Sequence, residues 1–350
     1  MRYTMSTLCQ PATLYPEHII TNNQIEDFIH RYHSEVRHKE RAFEMIRNTS
    51  IEKRHTIIPF EDIIELKNFA HRGELYEYYT KLLVISCAQQ ALINAEIKAD
   101  EVTMIIVTSC TGFMMPSLTA YLINQLDLNS CTIQLPIAQM GCVGGAFAVN
   151  RAYDHCSQSR RNNVLIVSIE TSSLCFHRNA NRLQDFISDA LFGDGVASVV
   201  MRGDDAKPGF KLTNRYGFIT KGAEDYIKYE ITDQGFCFSL DKNVMYSVEL
   251  VAPLMRDFIC RYLGSLKEID FYISHTGGKR ILDEVGRCFE LAPSVLHHSR
   301  ECLRVTGNTS SVAVIDVLSR HFSDRKSGEK GVISAFGPGF TTEMAVGEWI

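Results

Sequence analysis

The segment Gln139-Met140-Gly141-Cys142-Val143-Gly144-Gly145-Ala146 sets one thiol among small residues, just before a stretch, Phe147 to Ala152, that can be helical. A thiol at such a junction faces the positive end of the helix dipole, which favours thiolate over thiol. The glycines leave room for a carbonyl to approach the sulfur, so the pattern suits a nucleophile for acyl transfer. Cysteine is also among the most buried residue types, and a glycine-rich turn can serve packing alone.

Two further turns carry candidate partners. His275, in Ile273-Ser274-His275-Thr276-Gly277-Gly278-Lys279-Arg280, stands where a β-rich run ends and a glycine pair opens the next helix. Functional residues collect at such strand ends in α/β proteins, and a cysteine nucleophile needs a base to take its proton. Asn308, in Val305-Thr306-Gly307-Asn308-Thr309-Ser310-Ser311, precedes the apolar run Val312 to Leu318. Its amide either caps that turn or donates to a developing oxyanion.

The elements that must hold these turns read as an alternation of strands and helices. Strand candidates are the apolar, β-branched runs Met104 to Thr108, Val164 to Ile169, Ala197 to Met201, Phe271 to Ser274 and Gly331 to Phe336. Apolar residues near helical spacing predict a helix from Glu74 to Ala95, and Pro116-Ser117-Leu118-Thr119 has the form of a helix start. The alternation predicts an α/β fold with sheets covered on both faces. The polar stretch Arg202 to Gly209 is the best boundary and divides the chain into halves, residues 1–205 and 206–350.

Composition narrows the class. The chain has 350 residues, 45% hydrophobic and 22% charged, as an ordinary globular protein has. Its 36 basic and 41 acidic residues leave a net charge of −5, which gives no global attraction for nucleic acid or an anionic membrane. The eleven cysteines are odd in number and contain no Cys-x-x-Cys pair, so a reduced, cytoplasmic setting is expected. The stretch Met1 to Thr7 lacks the apolar core of a signal peptide, and no stretch approaches the ~18 apolar residues of a membrane span. His297 and His298 have no spaced acidic or cysteine partner, so no metal site is expected.

Together these segments resemble the type III polyketide synthases, the chalcone-synthase-like branch of the thiolase superfamily, from about Ser6 to Trp349. The Cys, His and Asn turns occur in the family's order, and Gly337-Pro338-Gly339-Phe340-Thr341-Thr342-Glu343 resembles its C-terminal loop. Ser109 to Ser117, Gln134 to Gln139 and Glu343 to Trp349 are similar to the bacterial phloroglucinol synthases within it. The resemblance implies a thiolase fold of two related halves forming a layered αβαβα core. It implies Cys142 as nucleophile, with His275 and Asn308 stabilising the enolate left when malonyl-CoA loses carbon dioxide.

By the same resemblance Phe192 and Phe238 match a pair of gatekeepers, although either phenylalanine could simply be core. Met115 matches a residue that crosses a homodimer interface, and Ser310, Met114, Cys110 and Cys175 fall near cavity positions. The other cysteines, Cys87 and Cys260 among them, are expected in the core. Cations for CoA phosphates fall on the basic region Arg37, Lys39, Arg41, Arg47, Lys53 and Arg54, where Arg41 takes an expected position. Glu44 and Asn48 stand where plant enzymes carry cations, which makes Arg47, Lys279 and Arg280 further candidates, each against the plainer role of solvated surface.

The implied activity is iterative condensation and cyclisation of malonyl-CoA, three units giving phloroglucinol, with CoA thioesters as substrates and neither metal nor other cofactor. An alkylpyrone or alkylresorcinol synthase primed by a fatty acyl-CoA starter, or a ketoacyl synthase III, stands as the alternative in the same fold. A non-catalytic acyl-CoA-binding protein is the alternative outside enzymes, and it would have no need of an activated thiol.

Overall fold

The computed structural model describes residues 6–36 and 38–350; Met1 to Met5 and Arg37 of the basic region lie outside the described residues. A ten-stranded sheet runs through both halves in the order Phe271–Ser274, Lys330–Gly337, Thr341–Trp349, Phe210–Ile219, Ser6–Leu8, Gly195–Arg202, Asn163–Glu170, Met104–Thr108, Ile133–Ile137, with Ala12–Leu14 also paired to Gly195–Arg202. The apolar runs became strands because they are buried on both faces; all eight residues of Asn163–Glu170 are buried.

The pairing repeats outward from the central antiparallel pair, Ser6–Leu8 with Phe210–Ile219. On the N-terminal side the next steps are antiparallel, antiparallel, then parallel, through Gly195–Arg202, Asn163–Glu170 and Met104–Thr108. On the C-terminal side Thr341–Trp349, Lys330–Gly337 and Phe271–Ser274 give the same series. Two related halves thus meet back to back.

Helices Gly144–Cys156 and Ala313–His321 lie between the two wings and touch strands of both. The core they share holds Val149 and Ala152 of the first helix, Val314 and Val317 of the second, and Ile166, Val199 and Ile333 of the strands. Outside, helix Phe69–Ala95 covers the N-terminal wing and helix Ser247–Leu263 the C-terminal one, each with its own core. The layers read helix, sheet, helix, sheet, helix, which is the thiolase arrangement expected.

The long helix begins earlier than its periodicity suggests, at Phe69, because Asn68 caps it by accepting the His71 N–H at 3.1 Å. Cys87 is buried as expected, whereas Cys260 is exposed: it follows buried Ile259 by one helical step and so faces outward. All eleven cysteines are free. Among the described residues no helix is long and apolar enough to cross a membrane.

Candidate active site

Cys142 sits in a 3-10 turn, Gly141–Val143, feeding directly into helix Gly144–Cys156. Gly141 holds φ +53°, and a Cβ on it would lie 2.8 Å from Pro338 Cδ; a Cβ on Gly145 would lie 2.2 Å from the Ser311 carbonyl oxygen. The glycines therefore seat the nucleophile turn against the C-terminal loop and the Asn308 turn. The packing role and the chemical role coincide here.

His275 extends strand Phe271–Ser274, its N–H donating to the Ser334 carbonyl on the neighbouring strand at 2.9 Å. The ring is 2% exposed, its Nδ1 has no hydrogen-bond partner, and the Ser310 carbonyl lies beside it. Asn308 Oδ1 accepts the Ser310 N–H at 2.8 Å, so the Nδ2 donors are left for the cavity and for the Cys142 sulfur. The turn is tight enough to hold Ser310 at φ +51°, an uncommon conformation for a side-chain-bearing residue.

Burial pushes the Cys142 thiol up to about 12, against hydrogen bonds from Ser310 and Asn308 that pull it down and the Glu170 charge that adds to the rise. Burial likewise pushes the His275 ring down to about 4. Burial is the largest influence on the free thiol and works against the thiolate that the helix terminus favours.

Two cavities meet at Cys142. The smaller is lined by Cys142, His275, Asn308, Gly277, Leu240 and Ile281. The larger, with about 910 Å³ of space free of atoms counted out to its mouth, is lined by Cys142, Ser310, Cys110, Cys175, Ile63 and Tyr229 among others. Phe192 and Phe238 border both, their rings edge to face with centroids 4.9 Å apart. They stand at the passage, with Phe238 carried there by the hairpin Ile227–Thr232 and Gly235–Leu240.

Other candidates scatter. Met114 packs into the apolar cores beneath helix Phe69–Ala95 and does not line the larger cavity. Met115 is 84% exposed and lines neither of the two cavities. Arg41, Lys279 and Arg280 are exposed, the last two beside Gly277 and Ile281 at the smaller cavity, with Arg280 over the Tyr246 ring at 5.1 Å. Arg47 is tied to Glu26 through two bonds of 2.9 and 2.5 Å. Arg54 is no surface cation: it is 1% exposed, bonds the Ala190 carbonyl and Asn22, and burial pulls it down to about 9.

Two carboxyls, buried Glu170 and half-buried Asp189, escaped the reading of the sequence. Glu170 accepts the Cys110 N–H and the Thr111 hydroxyl, each at 3.0 Å, and the Ser311 hydroxyl, so it braces the floor of the site. Asp189 lines the larger cavity beside Arg54, and burial holds it well above the usual carboxylate range. The signal for Glu170 was present, since it is the one charge ending the apolar run Val164 to Ile169.

A buried cysteine, histidine and asparagine converging at a gated passage define a condensing site of the thiolase kind. The chain belongs to the chalcone and stilbene synthase family: residues 4–205 match its N-terminal domain and residues 214–348 its C-terminal domain. It is 46% identical to the phloroglucinol synthase of Pseudomonas fluorescens over 99% of both chains. It is 40% identical to the 1,3,6,8-tetrahydroxynaphthalene synthase of Streptomyces griseus over 99% of this chain and 93% of that one. The crystal structure of 1,3,6,8-tetrahydroxynaphthalene synthase from Streptomyces coelicolor, a bacterial type III polyketide synthase, superposes with a TM-score of 0.95 at 39% identity, covering 98% of this chain and 99% of that one. The chain is accordingly a type III polyketide synthase, an acyltransferase by class.

Proposed function

We propose that this synthase makes phloroglucinol from malonyl-CoA alone, three malonyl-CoA giving one phloroglucinol, three carbon dioxide and three CoA. Cys142 attacks the thioester carbonyl of the first unit; its proton moves to His275 and then to the departing CoA sulfur. A second malonyl-CoA in the smaller cavity loses carbon dioxide, and the oxyanion of the resulting enolate is held by Asn308 Nδ2 and the His275 ring. The enolate carbon attacks the Cys142 thioester, and the extended chain returns to the sulfur. After the last extension the carboxyl brought by the first unit leaves as the third carbon dioxide, and the carbanion so formed closes on the Cys142 thioester in an intramolecular Claisen step that releases the ring, which tautomerises to the phenol, and frees the thiol.

The observation that carries this reading is the place of Cys142 between two compartments that share Phe192 and Phe238. One compartment holds the enolate-stabilising pair; the other offers apolar room for a growing chain. The likeness to a phloroglucinol synthase over the full length supports the product. Exposed Lys279 and Arg280, next in sequence to Gly277 and Ile281 of the smaller compartment, and exposed Arg41 are the cations for the CoA phosphates. We place the enzyme in the cytoplasm as a homodimer, with exposed Met115 and Phe113 in the partner contact.

Incubation with malonyl-CoA as sole substrate tests the product, with phloroglucinol expected by liquid chromatography and mass spectrometry. Absence of phloroglucinol, with pyrones formed once a long-chain acyl-CoA is added, would replace this reading by the fatty-acyl-primed one. Intact-mass analysis should show an acyl adduct on Cys142 that Cys142→Ala abolishes; a protein that binds malonyl-CoA without forming any adduct is a binding protein instead.

A further inference from the structure

Neither cavity of the condensing site reaches the far end of helix Ala313–His321, where a second cluster of chemistry-bearing side chains stands. His298 on helix His297–Thr306, His321 at the last turn of its helix, and Asp324 just beyond bring one ligand atom each to within 4.8 Å of one another. Among the described residues this is the one such group of three or more. His298 Nε2 and Asp324 Oδ2 are 3.0 Å apart. The His298 and His321 rings meet edge to face, centroids 4.5 Å apart.

His321 is the informative member. It is 2% exposed, and neither ring nitrogen has a hydrogen-bond partner. A neutral imidazole carries one donor and one acceptor, and leaving both without partners in the interior is costly unless something else takes the lone pair. No step of the condensation uses this ring.

We propose that His298, His321 and Asp324 bind one divalent transition-metal ion of the zinc type, through two imidazole nitrogens and one carboxylate oxygen. Two nitrogens and one oxygen suit zinc, cobalt or copper rather than calcium or magnesium, which take oxygen shells. Ligands bonded tetrahedrally at about 2.0–2.1 Å stand roughly 3.3 Å from each other, so the three atoms close in slightly around the ion. Partly exposed Asp324 and His298 lie on a cleft that also contains Asp270 and His297, which gives an entry path and a fourth position for water. Arg325 Nε donates to Asp324 Oδ1 at 3.1 Å while its guanidinium lies over Phe271, leaving Oδ2 toward the histidines. The ion ties the end of helix Ala313–His321 to the start of helix His297–Thr306, and its effect is on stability rather than on turnover.

The full-length protein, freed of metal with a chelator, is titrated with Co²⁺ and Zn²⁺. One equivalent of Co²⁺ should give visible d–d bands without a thiolate charge-transfer band, and Zn²⁺ should raise the melting temperature by several degrees. Trp349 is the sole tryptophan; it packs on Phe271 at 5.8 Å, and Phe271 packs on His321 at 5.1 Å, so Cu²⁺ should quench its fluorescence. His298→Gln and Asp324→Asn should each weaken binding at least tenfold, with condensation of malonyl-CoA by the metal-free protein unchanged. Melting of the metal-free variants reports whether they fold, and His298→Gln alone decides if Asp324→Asn does not. Absence of one saturable equivalent, equal affinity in a folded variant, or a thiolate band assigning the ion to cysteine would overturn the proposal.

Discussion

Phe192 and Asn308 are joined backbone to backbone: the Asn308 N–H donates to the Leu191 carbonyl at 2.8 Å, and the Gly193 N–H donates to the Asn308 carbonyl at 3.1 Å. The gate and the amide proposed to hold the enolate are thus parts of one short parallel bridge. Movement of either is felt by the other.

Gly307 is the residue through which this coupling is most easily disturbed. It holds φ +71°, and a Cβ there would lie 2.8 Å from the Leu191 carbonyl and 3.2 Å from Arg54 Cγ. Gly307→Ala should displace Asn308 and lower kcat for malonyl-CoA decarboxylation by roughly 10²-fold, the usual cost of a misplacement near 1 Å. Steady-state kinetics beside a thermal melt checks this; a melt that collapses with unchanged specific activity of the folded fraction would speak against the coupling.

Removing the gate's second ring has a different signature. The edge-to-face pair is worth about 0.5–1.5 kcal/mol beyond burial, so Phe238→Ala should leave the protein folded while widening the passage. Larger acyl-CoA starters should then compete with malonyl-CoA, read as a shift of products in mixed-substrate assays. An unchanged product ratio would assign Phe238 to packing only.

Glu170 makes the Cys142 thiol harder to ionise, burial being the larger cause. Glu170→Gln removes the charge while its one amide oxygen can still accept from the Thr111 hydroxyl and the Cys110 N–H, the amide nitrogen then facing the Ser311 hydroxyl as a donor. Alkylation of Cys142 by iodoacetamide at pH 8 should become faster by up to roughly tenfold, the equivalent of one pKa unit. A slower reaction in a folded variant would show that Glu170 acts on the thiol through geometry and not through charge.

Acid should destabilise the fold through His275. Its folded pKa, about 4, lies below the 6.5 of a free imidazole, because burial penalises the charged ring. Between these values the unfolded chain binds the extra proton, so stability rises with pH across the window and is lost as pH falls from 6.5 toward 4. The full effect is up to about 3 kcal/mol, from 1.36 kcal/mol per unit. Denaturant titrations at several pH values should show it, and His275→Gln should flatten the slope there.

Much of the frame was legible because the physics is local. Doubly buried strands such as Met104–Thr108 leave unbroken β-branched runs, and glycine-flanked turns at strand ends announced Cys142, His275 and Asn308. What stayed hidden depends on residues far apart in the chain. Arg54 reads as one more surface cation until it meets the Ala190 carbonyl; Asp189 reads as an ordinary helix acid until the cavity closes over it. His298 found its partners in His321 and Asp324, more than twenty residues onward and at a spacing no motif describes. At Cys142 the hidden part was depth: the helix terminus that favours a thiolate is visible in sequence, whereas the burial that works against it is not.

The central layer has a consequence for how such a chain changes over time. The nucleophile turn begins one buried helix, Gly144–Cys156, the asparagine turn begins the other, Ala313–His321, and Gly145 packs directly on Ser311 between them. An exchange of sequence between relatives at the polar stretch 202–209 would bring together two turns shaped for different mates. Such hybrids would retain every chemical group and still lose the fit on which its work depends, so the two halves are inherited well only as a matched set.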